Sequence, residues 1–593
     1  MKKLFGSSAW AAAAAAAVLL LGACNKDGEI VQDAAPAPRI LPENETGIYT
    51  VKAGRELTLA PTVEHAENAR FEWLLDDAVV GRERQLTLRW EQVGDYYLTF
   101  RVRTPAGQAE AELKVEVAEL APPLISLPVP TQGLQLLAGT EHLFAPTILH
   151  DDLEDFRIEW LRDGKVASTE RSYTFCETEP GTYLLAIRAS NIDGESLREI
   201  RIEVVGRLPL AVEFSTPSYL QTATDRHTFA GRAVYLEPLL RGFEQPRFSW
   251  SVDGTDVSCT EPCFRFTPAA SGDYRIGVTV AEGDTGLSGS ATLLVRCAAV
   301  GEAERQRPAT GGSSAVQNRV YEWTPAPGQF IGDTNTGGMT GLETTPEEAC
   351  AWAEQRLAAR QFVSLGGFGG RIVVGFDHSI PRSGGSYDFA VMGDAFDSSN
   401  EPGIVWVMQD VNGNGLPDDE WYELRGSESD RAETRRNYAV TYFRPPGKGM
   451  DVEWIDSEGS TGRIDYLRAH HRQDTYYPAW IDAECYTLRG TCLSSRNRLD
   501  PATGYWNNLP YDWGYADNRG SDDLQPGDEA DGSGRRTGFR IANAIYPDGT
   551  PAELQYVDFI RVQVGVNAKS GILGELSTEV LSFEDLSIST PER

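Results

Sequence analysis

The 593-residue chain reads as a mostly β protein: a leader and tether, three tandem β-sandwiches, then a larger jelly-roll-like β-sandwich head with one packing helix. Three observations predict this. A tryptophan-bearing strand recurs three times at nearly constant spacing. Short runs of alternating apolar residues, bounded by Gly, Pro, Asn and Asp, fill most of the remainder. One stretch alone has the chemistry of a helix start. A chain of this length also exceeds a single hydrophobic core.

At the N-terminus Lys2 and Lys3 precede an apolar run (10–21) too short to cross a bilayer as a helix, and the run ends in LGAC (21–24). This resembles the lipobox of bacterial lipoproteins, which implies removal of signal peptide 1–23 and lipidation of Cys24. The following NKDGE (25–29) resembles the acidic export signal of Bacteroidetes lipoproteins and implies the outer face of the outer membrane. Residues 24–42 read as a tether, stiffened by its Ala-Pro stretch. The net charge of −33 and pI of about 4.7 exclude nucleic acid and anionic membrane surfaces as partners, because their phosphates are repelled.

The repeat is FEWLLDD (71–77), IEWLRDG (158–164) and FSWSVDG (248–254), followed by GDYYLTFRV, GTYLLAIRA and GDYRIGVTV. Trp-to-Tyr separations of 23, 23 and 24 residues define units 43–120, 121–207 and 208–297. Leu98, Phe100 and Val102 alternate with Tyr97, Thr99 and Arg101, the pattern of a half-buried strand, and one Trp per unit fills the space between two sheets. The units resemble PKD and immunoglobulin-like modules of bacterial surface proteins, which implies rigid spacers lifting a head from the membrane. Seven cysteines remain after processing. Cys259/Cys263 and Cys485/Cys492 are near enough in sequence to bridge, leaving Cys176, Cys297 and Cys350.

Residues 298–318 are polar and read as a linker; 319–593 form the head. Its helix is TTPEEACAWAEQRLAAR, with Thr345 as N-cap, Pro346 at the first turn, Glu347 and Glu348 at the positive end, and Ala349, Trp352, Ala353 and Leu357 on one face. Strands are expected in GRIVVGFD, YDFAVMG, GIVWVMQD, NYAVTYF and YVDFIRVQVGV. GGFGG (366–370) lacks the Gly-Lys-Ser/Thr ending of a phosphate loop.

DVNGNGLPDDEW (410–421) resembles a calcium loop. Asp410, Asn412, Asn414 and Asp418 offer side-chain oxygens and Leu416 a carbonyl, with Asp419, Glu420 or Glu423 completing the shell as a structural calcium site. Position 12 is Trp421 and the flanks read as strands, so this is no EF-hand; a turn closed by Asx hydrogen bonds is the alternative. A second calcium is conceivable at Asp517, Asp522 or Asp523.

Several blocks, among them VSLGGFGGRIVVGFDHSI, EPGIVWVMQDVNGNGLPDDEWYELRGSE, WGYADN and VDFIRVQVGVNAKSGILGELSTEV, make the head similar to the BtuH-type surface lipoproteins that accompany cobalamin uptake in Bacteroidetes. The resemblance implies capture of cobalamin or another corrinoid beside a TonB-dependent transporter and companion surface lipoproteins, with cobalamin as ligand rather than cofactor. A broad, amide-fringed ligand needs aromatic area and polar groups. Two stretches offer both: Tyr505, Trp506, Asn507, Asn508, Tyr511, Trp513 and Tyr515, and Tyr476, Tyr477 and Trp480 beside His470, His471 and Gln473. Of the adjacent histidines, at most one can reach cobalt from a strand. The competing reading is a calcium-stabilised carbohydrate-binding lipoprotein. No GxSxG or HExxH motif is present, so no enzyme is expected.

Overall fold

The computed structural model describes residues 35–44, 46–333, 339–524 and 535–588, and Cys24 with the leader lies outside them. The chain forms two compact bodies, one ending at Ala121 and one beginning at Pro122.

In the first body a five-stranded sheet runs Ile48–Lys52, Gly107–Ala118, Gly94–Thr104, Arg70–Leu75, Ala78–Gly81. It faces two short ladders, Arg39–Leu41 with Thr62–Glu64 and Glu56–Leu59 with Leu86–Arg89. The expected alternation holds: Leu98, Phe100 and Val102 are buried while Tyr97 is exposed. The second and third repeats have the same strand order.

The conspicuous residues of the repeat each do one physical job. Trp73, Trp160 and Trp250 are buried, and each indole N–H donates to a backbone carbonyl ten or eleven residues on, at 3.0, 3.0 and 2.9 Å. A buried indole left without a partner would cost about 1–3 kcal/mol. Tyr96, Tyr183 and Tyr274 each donate to the carbonyl four residues back, fixing the corner where the long strand begins. The Asp-Asp or Asp-Gly pair after each Trp strand takes positive φ at both positions, the tight hairpin turn whose twist matches the strands.

In the second body both repeats pack on the head rather than standing clear of it. Ser126 and Thr147 of the second repeat donate to the two oxygens of buried Glu453 at 2.7 and 3.0 Å. The segment after the first strand of the third repeat enters the head: Tyr219 packs edge-on against Tyr486, and Ser218 donates to buried Glu322. The linker is likewise pinned. It contains a one-turn helix, Glu302–Arg305, and Arg307 pairs with buried Asp558 at 2.9 Å, which no free linker does.

The head is built of antiparallel layers. Its largest sheet runs Arg319–Thr324, Arg371–Pro381, Tyr556–Val564, Gly403–Met408, Trp421–Leu424, Ala544–Ile545, with Tyr515–Ala516 also on Gly403–Met408. All nine residues of the central Tyr556–Val564 strand are buried, so both faces are covered. Its Arg561 is sandwiched between Trp406 and Trp421, 4.7 and 4.6 Å from the ring centres. A four-stranded sheet (Thr461–Ile464, Val452–Asp456, Arg435–Phe443, Cys485–Cys492) and a three-stranded one (Arg535–Phe539, Phe389–Gly393, Ser582–Asp585) complete the layers. The helix is Pro346–Ala358, closed by a Thr345/Glu348 capping box, with Ala349, Ala353 and Leu357 buried and Trp352 stacked on Trp323.

All seven described cysteines are free thiols, so the pairings expected from sequence proximity are not made. Cys485 and Cys492 are the two ends of one eight-residue strand. At ~3.3 Å per residue that separates them far beyond disulfide reach.

Candidate functional site

The 410–421 segment connects two paired strands, Gly403–Met408 and Trp421–Leu424, as its flanks suggested. Its oxygens are taken up by the loop itself. The Asp410 carboxylate accepts the N–H groups of Gly413, Asn414 and Gly415 at 2.8, 3.1 and 3.0 Å. Asp418 accepts the side-chain amides of Asn412 and Asn414 at 2.9 and 2.8 Å. Asn412 and Asn414 oxygens accept the N–H two residues on, and Leu416 is exposed. This is the Asx-turn arrangement. Of the proposed completing ligands, Asp419 spends one oxygen on the loop's own Val411 and Asn412 N–H groups, at 2.6 and 3.3 Å, and the other on His227 of the third repeat at 2.8 Å, while Glu420 faces Arg226 of that repeat at 3.5 Å. Glu423 leaves the predicted shell altogether, because it lies buried in the strand, accepting from Thr491 and facing Arg436 at 3.7 Å.

A different acidic centre is assembled by the fold. Asp394, Glu401, Asp517 and Glu579 bring one carboxylate oxygen each to within 4.8 Å of all the others. Asp394 follows the Phe389–Gly393 strand, Glu401 precedes Gly403–Met408, Asp517 follows Tyr515–Ala516, and Glu579 lies in Glu579–Val580. The cluster therefore sits where the three-stranded sheet meets the large one. Backbone bonds fix it: Asp517 accepts the N–H of Asp394 at 2.9 Å and of Glu579 at 3.0 Å. Gly393 is obligatory beside it, since a Cβ there would lie 2.6 Å from an Asp517 oxygen.

Burial pushes all four carboxyls above their usual range, and mutual repulsion pushes Glu401, Asp517 and Glu579 further. Such a group can do two things chemically: share protons between its members, or hold a hard divalent cation through oxygens alone. Of the three residues suggested for a second calcium, Asp517 is in this cluster. Asp522 accepts from Gly514 at 2.6 Å and Asp523 pairs with Arg535 at 2.9 Å instead. Asp394, Glu401 and Glu579 carried no sequence signal, being dispersed over nearly two hundred residues.

The aromatic stretches divide. Tyr476, Tyr477, Trp480, Tyr511, Tyr515 and Asn508 are buried, which removes them from an exposed ligand platform. The tyrosine hydroxyls are satisfied internally, Tyr511 donating to Ser494 O at 2.8 Å, Tyr477 to Ala483 O at 2.9 Å and Tyr476 to His471 O at 3.0 Å, whereas the buried Trp480 indole N–H has no partner among the described residues. His470 closes a turn and His471 follows it in irregular backbone, neither being in a strand, and His471 bonds Asp333. Tyr505 is 73% exposed, and Trp506, Asn507 and Trp513 are half-buried.

The first stretch nevertheless meets residues 567–575, and the second reaches that segment through Gln329. In the Asn497–Leu499/Trp506–Asn508 hairpin, Asn497 donates to Lys569 O at 2.7 Å, and Trp506 lies on Gly571 so closely that no Cβ fits there. From the other side Gln473 donates to Gln329 O, and the Gln329 N–H donates to buried Glu575 at 2.6 Å. Burial pushes the Glu575 carboxyl up to about 7.

A family model for PKD-like domains matches residues 37–104 and 122–191. The muscle M-line assembly protein unc-89 of Caenorhabditis elegans is 24% identical over 207 residues, 32% of this chain, and the chain spans 2% of that protein. Among solved structures, a titin I-band fragment is 15% identical, covering 44% of this chain and 98% of its own, with a TM-score of 0.20. Immunoglobulin domains 1–5 of Sidekick-1 are 16% identical, covering 45% of this chain and 60% of their own, with a TM-score of 0.21. The first two repeats are thus PKD-like domains, and the third shares their strand order.

Proposed function

We propose that this chain is a surface-exposed outer-membrane lipoprotein, anchored through Cys24, that captures cobalamin or a related corrinoid and passes it to a TonB-dependent transporter. The reading is non-enzymatic: the PKD-like repeats belong to a type of architecture common in proteins without catalysis. The observation that carries it is the Trp506 hairpin seated on residues 567–575, which the second stretch reaches through Gln329, with Tyr505 and Trp506 on the accessible side. The motif resemblance of the head supplies the ligand's identity. Calcium is the structural ion of this reading, and the four-carboxylate centre is its best-suited host. No helix among the described residues is long and apolar enough to cross a membrane.

The test is co-elution. The purified chain is mixed with cyanocobalamin, desalted, and read by its visible spectrum. Retained corrinoid at micromolar concentration is expected; its absence removes the reading. The exposed Tyr505 ring also favours a second reading, carbohydrate binding, since an open aromatic face stacks on sugars. Binding on a glycan array without corrinoid retention selects that alternative.

A further inference from the structure

Between the second repeat and the head lies a cleft of about 500 Å³, within the size range of small-molecule sites. One wall is the second repeat, with Pro128 and Ala145; the other is the head, with Trp454, Ile464, Asn567 and Glu575. The walls are locked together. Glu453, at the seam, takes a hydroxyl from Ser126 and another from Thr147, so both of its oxygens are satisfied by the repeat. On the head side Trp454 lies flat against Gly462, where a Cβ would fall 2.3 Å from the indole.

The polar groups say what the cleft accepts. Its charged rim is internally paired: Asp465 receives Lys569 at 2.6 Å and Arg463 at 2.9 Å, and Arg463 also faces Asp451 at 3.4 Å. No cation is left over to attract an anion. Within the cleft the polar Glu575 and Asn567, held in place by Gln329 at 2.6 Å and Tyr438 at 2.9 Å, stand beside the apolar surface of Trp454, Ile464 and Pro128. A neutral molecule with amide groups and an apolar edge fits this chemistry; a phosphate or a polycation does not.

We propose that this cleft is the ligand-binding site, that the second repeat forms one of its walls, and that it receives the amide-fringed edge of a neutral corrinoid. The identity of the ligand rests on the function proposed above; the location rests on the cleft. The segment 567–575 then has two faces, one lining the cleft and one beneath the Trp506 hairpin. Ligand is held by two domains at once, so the second repeat is part of the receptor.

The experiment uses the full-length chain and cyanocobalamin, with affinity read by calorimetry. Ala145→Trp fills the cleft from the repeat and Thr461→Trp from the head; both positions are exposed, so neither disturbs a core. Val166→Trp, exposed on the same repeat but outside the cleft, is the control. At least tenfold weaker binding is expected in both cleft variants, with unchanged melting temperature and wild-type affinity in the control. Wild-type affinity in either cleft variant overturns the location while leaving corrinoid capture standing. No binding by the wild-type chain removes capture and, with it, this site.

Discussion

The 410–421 loop and the four-carboxylate cluster are both acidic, yet they differ in what surrounds the charge. In the loop, six N–H donors from the five residues Asn412 to Leu416 turn inward on Asp410 and Asp418 or on the Asn oxygens. In the cluster, carboxyl faces carboxyl: the strands deliver four of them to one point, where burial raises all four above their usual range and repulsion raises three of them further. Local spacing selects turn chemistry, because only neighbours in sequence can shape a loop. Unbalanced charge arises from distant segments, because no local turn would tolerate it.

The largest effect that separates them is loss of Asp410. Asp410→Ala leaves the Gly413 and Gly415 N–H groups without an acceptor, the Asn414 N–H keeping the Asn412 oxygen, and the loss of these bonds to a carboxylate is expected to destabilise the head by about 4 kcal/mol, with or without chelator. Chemical denaturation in EDTA checks this; a cost that vanishes in EDTA would make the loop an ion site.

Glu575 extends the comparison to a single distant carboxyl. The folded chain keeps its proton up to about pH 7, whereas the unfolded chain releases it near 4.5. Stability therefore falls as pH rises through that interval and levels off above it. Glu575→Gln should remove about 3 kcal/mol of this decline. Melting curves from pH 4.5 to 7.5 that keep their wild-type slope in the variant would contradict it.

Calcium at a hundredfold excess over its Kd should stabilise the head by about 2.7 kcal/mol. Glu401→Gln with Glu579→Gln should abolish that gain, while Asp418→Asn should keep it, in a thermal-shift titration. The reverse pattern would move the ion to the loop.

The smallest effect is purely local. Asp77 holds φ of 64° where the other repeats place Gly164 and Gly254. Asp77→Gly should stabilise the first repeat by about 0.5 kcal/mol in urea unfolding; a loss instead would mean that the Asp side chain supports the turn.

The same distinction explains what was legible beforehand. The three Trp strands, the Tyr corners and the Thr345 cap were readable because each is set within a few residues. The burial of Tyr476, Tyr511 and Tyr515 was not. Glycine, proline and asparagine around them suggested exposed loops, but each phenol finds a backbone partner, which allows an irregular segment to enter the core. The docking of two repeats on the head also escaped sequence reading. It depends on Glu453 and Glu322, buried acids whose partners lie in other domains. The cluster residue that sequence did flag, Asp517, was noticed as part of an acidic loop; its three companions come from elsewhere in the fold.

The strand order of the repeats also has a mechanical side. In each, an early strand lies parallel to the last: Ile48–Lys52 on Gly107–Ala118, Leu134–Leu137 on Gly194–Val205, Arg226–Thr228 on Ser288–Cys297. Tension drawn along the chain loads such a pair in shear, so its hydrogen bonds share the load instead of opening one by one. The clamp is longest in the first repeat, with five paired residues against four and three. Force entering from the N-terminal side is thus met first by the module best arranged to resist it.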